Sequence, residues 1–279
     1  MSALRVLFLG GTGTISRACV RAAVAAGNEV TILNRGSTPE TDGVRHVIGD
    51  VRSADSVRAA VGEGVDVVAD FLSFVPDHVS TVLSASEGRI GQYIFISSAS
   101  AYDKPPRYLP VTESTPLRNP YWQYSRDKIA VEDLLVAAHR DRGLPVTIVR
   151  PSHTYDERML PTTGKWNDIA RMRSGRPVVI HGDGTSLWTI THADDFAVAF
   201  TGLLGNPMAI GEAFTITGTH APSRAMPGFP GAQMSVSTDS SVARAAAMAC
   251  SRPPEPIRST RTRPVYVLDR YRPTTTPCR

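Results

Sequence analysis

A doubly wound α/β fold with a parallel sheet is predicted by three features of the sequence. Short apolar, β-branched runs alternate with helix-forming stretches. The first of them, RVLFL, is a short unbroken apolar run rather than apolar at every second residue, as in a strand covered on both faces. A glycine-rich turn joins the first run to the first helix-forming stretch.

In order, Arg5–Leu9 (RVLFL) reads as a buried strand. Ile15–Ala26, rich in Ala and Val, reads as a helix that Gly27-Asn28 stops. Glu29–Leu33 (EVTIL) and Val44–Ile48 are the next strands, and Ser53–Val61 is a helix with Ala54, Val57 and Val61 apolar at helical spacing. Val65–Phe71 is a strand and His78–Ala85 a helix. Tyr93–Ser97 and Pro145–Val149 are strands that flank a long helix near Tyr121–His139. Asp194-Asp195 marks the start of another helix, as acids favour a helix N-terminus. The first domain runs over 1–217, with substrate-side segments around 152–192.

From residue 218 the texture changes. Residues 218–279 hold nine of the 21 prolines, nine arginines and no lysine. Within them only Val242–Ala249 suits a helix and only Val265–Leu268 a strand. A segment so poor in aliphatics has little to bury against its chain entropy, so it is expected to pack poorly. The abrupt change has the texture of GC-rich DNA read out of frame.

Composition is that of an ordinary globular protein, with 42% hydrophobic and 20% charged residues. The sequence has no apolar run of the roughly 18–20 residues that span a bilayer. The start, MSALRVLFLGGTG, lacks the apolar core of a secretory signal. A cytoplasmic protein without a membrane partner is therefore expected. Cys19, Cys250 and Cys278 form no metal or disulfide pattern. Net charge is +4, and the basic residues concentrate in the tail. A basic tail can bind nucleic acid. With 27 arginines against three lysines, however, the bias reads as compositional, and nucleic-acid binding is the lesser reading.

Three constellations carry chemistry. Gly10-Gly11-Thr12-Gly13-Thr14-Ile15-Ser16 follows a strand and opens a helix. Glycine lets the backbone approach a pyrophosphate, and a helix N-terminus offers N–H donors to it. Ser16 occupies the place where a third glycine is common. Asn34-Arg35 then ends the second strand, where an acid would select the ribose hydroxyls of NAD. An amide and a guanidinium there suit a 2′-phosphate, so NADP is favoured over NAD. A solvated surface arginine is the alternative. Asp50 and Val51 follow the third strand and suit an adenine pocket, unless Asp50 only caps a helix or closes a turn. Last, Tyr124 and Lys128 lie four residues apart on one helix face. A nearby ammonium favours phenolate, so the Tyr124 pKa is expected to fall toward neutrality. Ser98, at the end of ISS, could hydrogen-bond a substrate oxygen, or it could simply end the strand. The histidines show no ligand spacing, and no GxSxG elbow or Walker motif is present.

Taken in order, the glycine turn, ISSASAY at 96–102, Tyr124/Lys128 and RPSHTY at 150–155 resemble the extended or atypical short-chain dehydrogenase/reductases. The likeness is to the NAD-dependent epimerase/dehydratase group and its chloroplast stem-loop-binding-like branch, over about residues 4–217. It implies a Rossmann-like fold, an NAD(P) cofactor and a small, sugar-like substrate. A homodimer is compatible with it. It implies Ser98, Tyr124 and Lys128 as catalytic residues, with Gly10, Gly13, Thr14, Ile15, Asn34, Arg35, Asp50 and Val51 at the cofactor. Phe71, Leu72 and Ser73 would lie beside the cofactor, and Pro151 and His153 beside the nicotinamide. The implied activity is hydride transfer between nicotinamide and a carbinol or carbonyl carbon, as an oxidoreductase, epimerase or dehydratase. A nucleotide-sensing or RNA-binding protein on the same fold is the rival reading. Two departures stand out. Trp188, after a GDG stretch at 182–184, stands where nucleotide-sugar enzymes usually carry an arginine, although it could equally be core. The family's C-terminal substrate helices have no counterpart in 218–279, so the substrate region reads as small and incomplete.

Overall fold

The computed structural model describes residues 3–37, 41–162, 164–179 and 189–218. The segment 182–188, with its GDG and Trp188, and the helix and strand expected within 242–268 lie outside the described residues.

The described residues form two compact units: those of 1–152 with Ala193–Ile216, and those of 153–192 with Thr217 and Gly218. The first unit is the doubly wound domain. Its strands are β1 (Arg5–Leu9), β2 (Glu29–Asn34), β3 (Val44–Ile48), β4 (Val65–Asp70), β5 (Ile90–Ile96), β6 (Val146–Pro151) and β9 (Ala213–Ile216). They form one seven-stranded sheet in the order β3-β2-β1-β4-β5-β6-β9, parallel at every pairing. The helices are α1 (Thr14–Ala25), α2 (Ala54–Val61), α3 (Pro76–Ser86), α4 (Gln123–Arg142) and α6 (Ala193–Thr201).

Why β1 lacks apolar–polar alternation is visible in its neighbours. Val6 and Phe8 join a cluster with Ala18, Cys19 and Ala23 of α1 and with Phe196 and Phe200 of α6. Leu7 and Leu9 join the opposite cluster, with Val57 of α2, Val79 and Val82 of α3, and Val131 and Leu135 of α4. Successive side chains point to opposite faces, and both faces are covered, so both must be apolar. Strand order reverses between β1 and β4. The crevice at the carboxyl ends of these two strands is where such sheets bind ligands.

The second unit contributes β7 (His153–Tyr155), β8 (Ile190–His192) and α5 (Trp166–Arg173). The two strands pair in parallel as a ladder of their own. Tyr155, Leu160 and Ile190 form their small core.

Phe200 is the aromatic hub of the α1/α6 face. Its ring lies 6.2 Å from Phe8, 5.6 Å from Phe71 and 6.1 Å from Phe196. Phe200→Ala leaves a cavity in a covered face, and the expected cost is about 3–5 kcal/mol. Urea unfolding checks it: the midpoint should fall with the slope unchanged.

Candidate active site

At the switch point, Gly10 and Gly11 adopt φ +105° and +103°, a region that side chains rarely enter. A Cβ on Gly11 would sit 2.9 Å from Ile32 Cδ1, and one on Gly10 would sit 3.1 Å from Leu72 Cγ. The turn therefore passes too close to β2 and to the end of β4 for any other residue. Gly13 caps α1, and its N–H donates to Ser16 Oγ at 2.9 Å. Ser16 is buried, so the small residue in the third-glycine place permits close packing and also fixes the turn. Thr14 and Ile15 open the helix, whose first-turn amides lie outside the intrahelical ladder.

Asn34 ends β2. Its Oδ1 accepts from Gly36 N at 2.9 Å, while its Nδ2 is buried with no acceptor among the described residues. Arg35 beside it is exposed. Asp50 is exposed and accepts from Arg52 N through Oδ1 at 2.9 Å. It closes a turn, and the cap of α2 is Ser53 instead. Val51 is buried in the core cluster with Leu33 and Val57. The partly buried Phe71 ring stacks on Phe8 and tilts against Phe200, and its N–H donates to Leu9 O. Leu72 closes over the glycine turn. Ser73 is buried, its carbonyl accepting from Lys128 and its side chain lying by the Tyr93 hydroxyl. Pro151 ends β6, whereas His153 belongs to β7 in the second unit.

The proton-handling groups sit on α4 and after β5. Ser98 starts the 3₁₀ turn Ala99–Ala101. It accepts from Ser100 N at 3.1 Å and shares a 2.8 Å hydroxyl contact with Ser100. It therefore starts the turn that follows the strand, and its hydroxyl is near enough to the Tyr124 phenol to act on its pKa. Burial raises the Tyr124 pKa above the ordinary phenol range, with the Ser98 hydroxyl working the other way. The expected lowering is thus reversed in the protein alone, because Lys128 does not bond the phenol. Its Nζ donates to Ser73 O and Ile96 O, each at 2.8 Å, and lies 5.7 Å from the Tyr124 ring centre.

Lys128 is 2% exposed. Burial lowers its pKa to about 8, while the charges of Asp70 and Glu132 hold it up. Phe74 and Phe95 face the same ammonium at 4.7 and 4.6 Å from their ring centres. Asp70 ends β4, accepts from Leu72 N and Ser73 N, and takes the Tyr93 hydroxyl at 2.6 Å. Glu132, one turn beyond Lys128, grips Arg150 of β6 at 2.6 Å and accepts from the Ser97 hydroxyl. Arg150 goes on to Tyr102 Oη at 3.0 Å, and Tyr102 to Thr215 Oγ1 of β9 at 2.6 Å. The sequence reading missed Asp70 and Glu132 as members of the site. Both carried a signal: an acid ending an apolar strand, and an acid on the Tyr124/Lys128 face of the helix.

A nicotinamide dinucleotide fits these residues. The first turn of α1, behind the glycine turn, offers N–H donors to a pyrophosphate, and Asn34 Nδ2 is a buried polar atom without an acceptor among the described residues.

Lys128 sets a pH dependence. A buried ammonium whose pKa falls from 10.5 to about 8 binds its proton less tightly than the unfolded chain does. The penalty is full below pH 8, and stability from this group rises as pH climbs from about 8 toward the ordinary lysine value. Lys128→Met should remove that rise. Urea unfolding of both proteins at pH 7.5 and, roughly, pH 9.5 reads it as a difference of differences.

Comparison with known proteins places the chain in a family. The family model described as NAD dependent epimerase/dehydratase family matches residues 6–217. The 2′-dehydrokanamycin reductase of Streptomyces kanamyceticus is 32% identical over 225 residues, covering 78% of this chain and 62% of the relative. Chloroplast stem-loop binding protein of 41 kDa b from Arabidopsis thaliana is 30% identical over 230 residues, covering 77% and 58%. The chain thus spans about three fifths of the length of these relatives. Among solved structures, dTDP-glucose 4,6-dehydratase from Bacillus anthracis with NAD superposes with a TM-score of 0.68 at 20% identity, over 78% of this chain and 76% of that one. UDP-glucuronic acid 4-epimerase from Bacillus cereus gives 0.65 at 21%, over 78% of each. At that identity the likeness is one of fold, and it is the parallel sheet described above. No helix among the described residues is long and apolar enough to cross a membrane. On the family match and the glycine turn, Ser98, Tyr124 and Lys128 that it spans, the chain belongs to the NAD-dependent epimerase/dehydratase family.

Proposed function

We propose that the protein is an NAD(P)-dependent oxidoreductase or epimerase of short-chain dehydrogenase type, acting on a carbinol or carbonyl carbon of a small, sugar-like molecule. The observation that carries this reading is Tyr124 one helical turn before the buried Lys128, whose Nζ is held 5.7 Å from the phenol ring centre by the Ser73 and Ile96 carbonyls. Relatives named for 2′-dehydrokanamycin reduction and UDP-glucose 4-epimerisation support it. The cofactor, when bound, supplies or accepts the hydride at C4 of its nicotinamide. Everything else falls to this chain. Ser98 holds a substrate oxygen beside the phenol. Tyr124 Oη gives that oxygen a proton in reduction and takes it in oxidation. Lys128, fixed by the Ser73 and Ile96 carbonyls, keeps a positive charge near the phenol and favours its ionised form.

Tyr124→Phe should lower turnover by about 10²–10⁴-fold, with cofactor binding changed only a few-fold. Stopped-assay rates and a cofactor titration on the purified variant check both halves. A variant that keeps most of the rate would remove Tyr124 from this role.

NADP is the preferred cofactor in this reading. Asn34, with its unpartnered Nδ2, and the exposed Arg35 end β2 where an acid would select NAD. Arg35→Ala should weaken NADP and leave NAD unchanged. Fluorescence titration of both cofactors against both proteins decides it, and an NAD preference untouched by the substitution would exclude a phosphate clamp.

A further inference from the structure

We propose that Trp122 is a stacking face for a six-membered, carbohydrate-type ring, a pyranose or cyclitol, whose reacting carbon it presents to Tyr124. This rests on Tyr124 as the proton-transfer group and names the class of ring that group serves.

Trp122 is the N-cap of α4, a position that favours Ser, Thr, Asp or Asn because their oxygens accept an orphan helix N–H. No side chain caps this helix. The N-cap place is held instead by an indole that is 55% exposed. Sequences break local rules of this kind chiefly at functional sites.

The indole is also held in place. Tyr121 N donates to Asn119 Oδ1 at 3.1 Å, and Asn119 Nδ2 donates to Ser100 O at 2.8 Å and to Ser125 Oγ at 3.2 Å. Arg126 Nη1 grips Pro120 O at 2.6 Å, and its other nitrogens take Gln123 Oε1. Backbone on both sides of Trp122 is thereby fixed before any ligand arrives, which lowers the entropic cost of binding.

The surroundings then state the ligand's chemistry. The indole lies against the Tyr124 ring, 4.8 Å between centres, and Phe74 borders the same phenol at 6.2 Å. Phe74 is 41% exposed. Both aromatic side chains are thus partly open to water and adjoin the Tyr124 ring, whose hydroxyl would meet a ligand's polar rim. A pyranose or cyclitol matches this pattern, with a flat face of C–H groups for the rings and a rim of hydroxyls for the polar groups. An acyclic polyol has the hydroxyls without the fixed apolar face.

The test uses the full chain with NADP present, and methyl α-D-glucopyranoside and myo-inositol as unreactive ring probes, with sorbitol as the acyclic control. A ring probe should change tryptophan emission saturably, sorbitol should not, and the change should vanish in Trp122→Phe. By ligand-observed NMR, Trp122→Phe should retain ring-probe binding and Trp122→Ser should weaken it about tenfold. Because serine restores a cap, Trp122→Ser should melt close to the wild-type temperature. Emission unchanged by either ring probe, an equal response to sorbitol, full binding by Trp122→Ser, or a large loss of thermal stability in that variant would each overturn the proposal. Tyr124→Phe keeps the ring that Trp122 packs against, so it should weaken probe binding at most a few-fold while turnover collapses, and failure of the stacking face and failure of the proton-transfer role are read separately.

Discussion

An ammonium taken to 2% exposure needs oxygen around it, and the way Lys128 finds that oxygen fixes most of the site. Its two carbonyl partners are the residues that follow β4 and end β5, so one side chain of α4 ties together the carboxyl ends of two neighbouring strands. The same bonds keep Ser73 and Leu72 against the glycine turn, and they place Ser98, two residues beyond Ile96, beside Tyr124, one turn before Lys128. Asp70 and Glu132 supply the negative charge that lets the ammonium stay charged at neutral pH. Neither acid is spare. Asp70 also receives two loop N–H groups and the Tyr93 hydroxyl, and Glu132 also holds Arg150.

That second pair extends the constraint to the edge of the sheet. The Arg150 and Glu132 side chains are 7% and 2% exposed. Burial opposes the guanidinium charge, and the bidentate carboxylate outweighs it, so Arg150 stays charged. Through Tyr102 the network reaches Thr215 on β9, and Glu113 Oε1 accepts that residue's N–H at 2.7 Å. A buried pair of this sort adds little net stability, but removing one member strands the other. Its value lies in setting the angle of α4 on the sheet, and with it the positions of Tyr124 and Lys128.

The sheet was legible in the sequence because central strands such as β1 are covered on both faces and read as unbroken apolar runs. Their parallel pairing followed from the helices between them. The glycine turn was legible because close approach to Ile32 leaves only glycine. What was hidden depended on burial. Nothing local in Phe71 shows that its ring packs on Phe8 and Phe200, far along the chain. The Tyr124 pKa was misjudged for the same reason: spacing places Lys128 on the right face but does not reveal that its Nζ turns to two carbonyls. Strands β7 and β8 have three residues each, shorter than any periodicity can register. Glu132 was legible in principle, as an acid repeating the Tyr124–Lys128 interval once more.

The opposed shifts of Tyr124 and Lys128 bear on the direction of chemistry. Burial raises the phenol and lowers the ammonium, so each group is pushed toward its neutral form. In the protein alone the phenol holds its proton firmly, which suits a group about to donate to a developing alkoxide and suits poorly one that must first abstract. A positive charge placed beside the ring, as an oxidised nicotinamide would carry, favours phenolate and reverses that bias. The same residues can thus serve either direction, with the choice set by which redox form is bound. The Ser98 hydroxyl already pulls the phenol that way, so the extra charge has only to exceed the remaining cost of burial.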